Sequence, residues 1–135
     1  MILDAISNAE KRTNGEVRVF IESRCRFVDP LDRAKELFYK LKMDNTELRN
    51  AVLLYIALKD HQLAIFGDSG IHQKVGDAYW QQEVDLILNT FSGEEIAKGI
   101  SECVKDIGEA LYLHFPFDSR TDKNELPDEI VFGKI

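Results

Sequence analysis

The chain has 135 residues, 44% of them apolar and 30% charged, with a formal net charge of −7. That length suits one domain with a single hydrophobic core, and the composition is that of a folded protein, not a disordered one. Acidic residues spread along the chain repel phosphate backbones and anionic membranes and attract cations; the one basic cluster, Arg24, Arg26 and Arg33, is too small to carry nucleic-acid binding.

Residues 3–13 place Leu3, Ile6 and Ala9 at helical spacing, and Asn14-Gly15 ends that helix. Residues 16–22 alternate charged with β-branched positions and predict a strand with one face more polar than the other. Asp29 caps, and Pro30 opens, a helix carrying Leu31, Ala34, Leu37, Phe38 and Leu41 that ends near Met43. The continuous apolar run 51–58 suits a strand buried on both faces and completes a βαβ unit. After the polar turn Lys59-Asp60-His61-Gln62, residues 63–66 return antiparallel as a hairpin, so the expected sheet is mixed. Gly67-Asp68-Ser69-Gly70 breaks the strand and opens a helical stretch with Trp80, Val84, Ile87, Leu88 and Phe91 on one face. Ser92 to Glu95 matches a capping box for a last helix, whose stripe of Ile96, Ile100, Cys103, Val104, Ile107 and Leu111 runs to about Phe115. Residues 117–135 read as a polar tail in which Ile130-Val131-Phe132 adds a short strand or docks on the body.

No stretch approaches the roughly 20 consecutive apolar residues of a spanning helix, and Met1-Ile2-Leu3-Asp4 lacks the layout of a signal peptide. The expectation is a cytoplasmic protein without membrane insertion. Cys25 and Cys103 lack metal or redox spacing; Cys103 falls on a core stripe, while the arginines beside Cys25 favour its thiolate.

Several chemistries are excluded by spacing. The chain has no phosphate loop, nucleophile elbow, HExxH helix or aspartyl-phosphate motif, and neither cysteine has an arginine where a cysteine phosphatase needs one. His61, His72 and His114 are not at zinc-ligand spacing and read as turn and helix-surface positions. What remains is oxygen chemistry in loops. The antiparallel return of the third strand brings Asp44, Asn45, Thr46 and Asn50 beside Gly67, Asp68 and Gly70, with Asp77 further along the following helix. Carboxylate, amide and backbone oxygens suit a hard cation, Ca²⁺ or Mg²⁺. A second acidic group, Glu22, Asp29 and Asp32, ranks lower, because Asp29 serves as a cap and Asp32 complements the first helical turn. In the tail, Asp118, Asp122, Asn124 and Glu125 lack the order of an EF-hand loop.

The segment Arg49-Asn50-Ala51-Val52-Leu53-Leu54-Tyr55-Ile56-Ala57, followed by Asp60, Ala64-Ile65, Gly67-Asp68-Ser69-Gly70-Ile71 and Val75-Gly76-Asp77, resembles the core signature of the TPM domain family. Thr13-Asn14-Gly15-Glu16-Val17-Arg18 resembles the family's opening motif, and residues 92–99 its helical close. The resemblance covers residues 1–116 and implies a three-layer α/β/α sandwich with a small mixed sheet. It also implies divalent-cation binding, with Asn50, Asp68, Gly70 and Asp77 at the matching positions. Ala51 departs from the family's usual glycine. Some members are described as acid phosphatases, others as accessory factors. The favoured expectation is a Ca²⁺- or Mg²⁺-binding accessory module with a protein partner. The alternative is a metal-dependent acid phosphatase, in which Asp68 holds the metal and Arg49, the one arginine inside the signature, holds phosphate.

Overall fold

The computed structural model describes residues 2–25, 28–91, 95–116 and 130–133. Its elements run α1 (Ile2–Glu10), β1 (Glu16–Glu22), α2 (Pro30–Lys40), β2 (Ala51–Ala57), β3 (Gln62–Gly67), α3 (Ser69–Leu88), α4 (Glu95–His114) and β4 (Ile130–Phe132). The strands form one mixed sheet in the order β3-β2-β1-β4, with β1 parallel to β2 and to β4, and β2 antiparallel to β3.

β2 lies inside the sheet and all seven of its residues are buried, which is why its sequence is continuously apolar and does not alternate. Its side chains divide between two cores. Val52, Leu54 and Ile56 pack with Val19, Ile65 and Ile107 in the core that includes residues of α1, α3 and α4, while Leu53 and Tyr55 pack with Phe20 and Phe38 on the α2 side. Burying each such side chain is worth roughly 1.5–3 kcal/mol, so this strand binds the outer layers to each other. The three-layer α/β arrangement inferred from the sequence is the one observed.

β1 carries its polar residues, Glu16, Arg18 and Glu22, at alternate positions, yet the whole strand is buried. Glu22 is neutralised there by Arg33 of α2, with Nε 3.0 Å from Oε2, and it accepts a hydrogen bond from the Tyr55 hydroxyl. The opening motif ties β1 to the end of α4. The Thr13 hydroxyl faces the carbonyls of Leu111 and Phe115 and accepts from the Gly15 amide at 3.0 Å.

Asp29 caps α2 by accepting from Leu31 N at 3.0 Å, and Pro30 opens the helix, as the sequence indicated. The expected capping box at 92–95 lies outside the described residues except for Glu95, the first residue of α4. Ile130–Phe132 add a short parallel strand at the β1 edge, and Gly133 N donates to Ile21 O at 2.7 Å. No described helix is long and apolar enough to cross a membrane.

Candidate functional site

The loop after α2 and the turn after β3 meet because β2 and β3 are antiparallel. Val52 stands opposite Gly67 in the register, so the residues before β2 and after β3 share one end of the sheet. Backbone bonds stitch them together: Asp68 N donates to Ala51 O at 2.9 Å and Gly70 N to Arg49 O at 2.8 Å. The loop is compact in itself. Met43 N returns to Phe38 O and Asn45 N to Lys42 O, while Lys42 and Arg49 adopt left-handed backbone at φ 58° and 52°. The two loops that the sequence reading joined are therefore adjacent in space.

At their junction Asp68 is 2% exposed. Its carboxylate is gripped twice by Arg49, with Nε 2.6 Å from Oδ2 and Nη2 2.9 Å from Oδ1, and Oδ1 also accepts from Ser69 N at 2.8 Å as the cap of α3. A buried carboxylate needs such a partner, because removing an unpaired charge from water costs several kcal/mol or more. The hydrogen bonds and charge of Asp68 raise the Arg49 pKa further above its ordinary value, with smaller contributions from Tyr39 and Asp44. Asp44 thus stands close enough to act on the same guanidinium.

Asn50 follows Arg49 in the chain, at the foot of β2. It is 1% exposed, and among the described residues neither its amide oxygen nor its amide nitrogen has a hydrogen-bond partner. The buried Thr46 hydroxyl in the same loop is also without one. Leaving a buried amide unsatisfied costs roughly 1–3 kcal/mol, so a water or ion that bonds to it recovers that amount.

Next to Asp68 opens a cavity of about 320 Å³. Leu31, Tyr39 and Phe66 contribute apolar wall, and Lys35, Arg49 and His72 are among its polar lining, which also includes Asp77. His72 is held from two sides. Its Nδ1 accepts from Trp80 Nε1 at 3.0 Å, which leaves the proton of the neutral ring on Nε2, directed at Asp77 Oδ1 3.4 Å away. Residues 72 and 80 would lie about 12 Å apart along a straight helix. They meet because α3 is broken at Gly76, where φ is 79° and ψ is 170°.

The sequence-derived candidates therefore fall into two sets. Asp68 and Asp77 line the cavity together with Arg49, whereas Asp44, Asn45, Asn50 and Gly70 belong to the loop junction beside it. The Asp77 side chain is 96% exposed and reaches toward His72. Among the described residues, no group of three or more His, Cys, Asp or Glu side chains could hold a metal ion. The lower-ranked acidic group is dispersed into structural roles, with Glu22 paired to Arg33 and Asp29 capping α2. The four tail candidates, Asp118, Asp122, Asn124 and Glu125, lie outside the described residues. Sequence reading missed Lys35, Tyr39 and His72 as cavity residues. The first two share a face of α2 at i, i+4 spacing, a signal too common to single them out.

Cys25 and Cys103 are both buried free thiols. The Arg24 guanidinium beside Cys25 pairs with Asp60 at 3.0 Å, Asp60 also accepts from the Cys25 amide, and the thiol itself lies 3.5 Å from Val28 O.

This α/β sandwich, with its strand-to-loop junction at Asn50 and Asp68, belongs to the TPM domain family, whose model matches residues 1–110. Among solved structures, the chain is similar to the BA42 protein of the psychrophilic bacterium Bizionia argentinensis. The two are 40% identical, the match covers 98% of this chain and 90% of that one, and the TM-score is 0.86. The N-terminal domain of the cg2496 protein from Corynebacterium glutamicum shares the fold alone, at 15% identity and a TM-score of 0.56, over 95% of this chain and 74% of that one. No curated protein matches the chain.

Proposed function

We propose that this TPM domain binds a divalent cation, Ca²⁺ or Mg²⁺, at the junction of its two loops and acts as an accessory module for a protein partner. The observation offered for this reading is the buried Asn50 amide, without a hydrogen-bond partner among the described residues, at the loop junction that also carries Asp68. The oxygen ligands in this reading come from both loops, and Arg49 would have to release Asp68 for the ion to bind there. Asp68 and Asn50 would supply carboxylate and amide oxygen, Asp44, Asn45 and Asp77 outer oxygen ligands, and Gly70 the close backbone approach that keeps the loops together. The accessory role is supported by the last turn of α4, which exposes Tyr112 and, at 73%, Leu113. The two free thiols suit a reducing compartment, and the cytoplasm is the one this reading takes. The test is a Ca²⁺ and Mg²⁺ titration followed by amide chemical shifts. Saturable shifts within residues 44–50 and 67–77, lost in Asn50→Ala, support the site; shifts elsewhere, or none, refute it.

The second reading is metal-dependent phosphate-ester hydrolysis, and the cavity lined by Lys35, Arg49 and His72 is the feature that favours it. A bound divalent ion would supply charge stabilisation for a phosphoryl oxygen, with Arg49 orienting the ester. Binding without turnover is the preferred reading, because His72 is engaged by Trp80 and Asp77, not by a nucleophile. Hydrolysis of a phosphate monoester that requires Mg²⁺ and disappears in Asp68→Asn would reverse that preference.

A further inference from the structure

We infer that the cavity between α2 and α3 is a docking site for a short, extended, acidic segment of a partner protein, which adds as a strand along the open edge of β3. This rests on the accessory half of the reading above, gives it a partner class and a place, and needs no cation.

β3 lies at the edge of the sheet, and among the described strands β2 alone pairs with it. Val52 stands opposite Gly67, which puts Ala51 opposite Asp68, and Asp68 N donates to Ala51 O. Bonded pairs alternate along an antiparallel ladder. Phe66 and Ala64 therefore also turn their N–H and C=O groups to β2, while Ile65 and Gly67 turn theirs to the open edge. No other backbone group among the described residues pairs with Ile65 or Gly67 there. The cavity gives access to that edge, because its lining includes residues 65–69 in succession. Leu31, Lys35 and Tyr39 of α2 form one wall, and His72 and Asp77 of α3 the other. In such a slot an added strand is held by main-chain hydrogen bonds and selected by the side chains it turns to the walls. The outward groups of residues 65 and 67 are about 7 Å apart. A cavity of about 320 Å³ stands at the small end of ligand sites, roughly 300–1,000 Å³, so the site takes a short stretch of chain.

The walls determine which side chains suit. Phe66 packs in the core on the α2 side and Ile65 in the core on the other, so successive residues of an added strand face α2 and α3 in turn. On the α2 side the Lys35 ammonium stands 6.0 Å from the centre of the Phe66 ring, and no carboxylate among the described residues pairs with it. The cavity's own carboxylates are engaged elsewhere, Asp68 by Arg49 and Ser69 N, and Asp77 by His72. A glutamate facing α2 lays its methylenes on Tyr39 and Phe66 and brings its carboxylate to Lys35. A second copy of this chain is a poorer occupant, since β3 itself, Gln62–Gly67, carries no carboxylate.

The probe is the blocked peptide acetyl-Thr-Val-Glu-Val-Thr-amide, titrated into the isotope-labelled protein with EDTA present. Saturable amide shifts are expected within residues 31–39 and 62–69, with slowed hydrogen exchange at the Ile65 and Gly67 amides. Binding is expected to weaken about fivefold in Lys35→Glu, a change at an exposed helix position, and that variant should prefer the peptide carrying lysine in place of glutamate. N-methylated peptides test the backbone without altering the protein. Methyl groups on one alternate set of peptide amides should abolish binding and on the other leave it, because only alternate N–H groups meet β3. Shifts without protection at Ile65 and Gly67, or equal tolerance of both methylated peptides, would reduce the site to an anion pocket and overturn strand addition. Equal binding of the glutamate and lysine peptides by wild type would overturn the acidic partner. An absence of shifts at millimolar peptide would overturn the inference altogether, and the cation titration, run without peptide, decides the cation site separately.

Discussion

Gly70 is pressed so closely onto Leu48 that a Cβ built on it would lie 2.1 Å from the Leu48 carbonyl oxygen and 2.7 Å from that of Arg49. Backbone atoms cannot yield as a flexible side chain can, so a methyl group here must drive the two loops apart. Gly70→Ala is expected to cost about 1–3 kcal/mol of stability, as overpacking does, and, on the proposed reading, to weaken cation binding as the two loops separate. Urea unfolding with and without Ca²⁺ checks both parts. A variant of wild-type stability would show that the loops have slack at this point. Gly76 provides the contrast in cause: an added Cβ there meets nothing, so Gly76→Ala carries only the backbone strain of φ 79° and ψ 170°, about 1–3 kcal/mol.

Glu22 makes a pH-dependent contribution at the opposite end of the sheet. Burial by itself would raise its pKa, but the hydrogen bonds from Arg33 and Tyr55 and the Arg33 charge together hold it below the ordinary value of 4.5. A carboxyl depressed in the folded state stabilises fully above its unfolded pKa and loses that stabilisation as pH falls through the folded value. Arg33→Met is therefore expected to destabilise by roughly 1–3 kcal/mol at pH 7, with some discount for the partial exposure of Arg33. The deficit should shrink toward pH 3, where Glu22 takes up a proton. Unfolding curves at the two pH values decide it, and a deficit independent of pH would assign the loss to packing.

How far the sequence was legible follows from the range of each signal. The doubly buried β2, the antiparallel return of β3 and the Asp29-Pro30 start of α2 were all legible, because composition and turn chemistry act within a few residues. Adjacency of Asn50 and Asp68 followed from that topology alone. Three things were not legible. The break at Gly76 was hidden, since an isolated glycine in a helical pattern is usually tolerated without a change of direction. With it went the meeting of His72 and Trp80. The burial of Glu16, Arg18 and Glu22 also escaped, because alternation reports which residues share a face and not whether another layer covers that face. The grip of Arg49 on Asp68 was visible as one pairing among others, and only its two-pronged geometry shows that the carboxylate is already neutralised.

The α3–α4 interface carries the opposite pH dependence. Glu83 is 6% exposed, and its Oε2 has no hydrogen-bond partner among the described residues. Burial, followed by the charge of and hydrogen bond to Asp106, pushes its pKa up to about 7 from an ordinary value of 4.5. A carboxyl raised in the folded state contributes stability that is complete below the unfolded pKa and is lost as pH rises through the folded one. The protein should therefore lose stability between about pH 4.5 and pH 7 through this residue. Glu83→Gln keeps the shape and removes the charge, so it is expected to exceed wild type by about 1–3 kcal/mol at pH 8 and to match it near pH 4.5. Urea midpoints across that range give the answer. A Glu83→Gln protein no more stable than wild type at pH 8 would mean that Glu83 ionises in the fold without penalty, through a local opening of α3 from α4 that amide exchange at residues 79–87 would reveal.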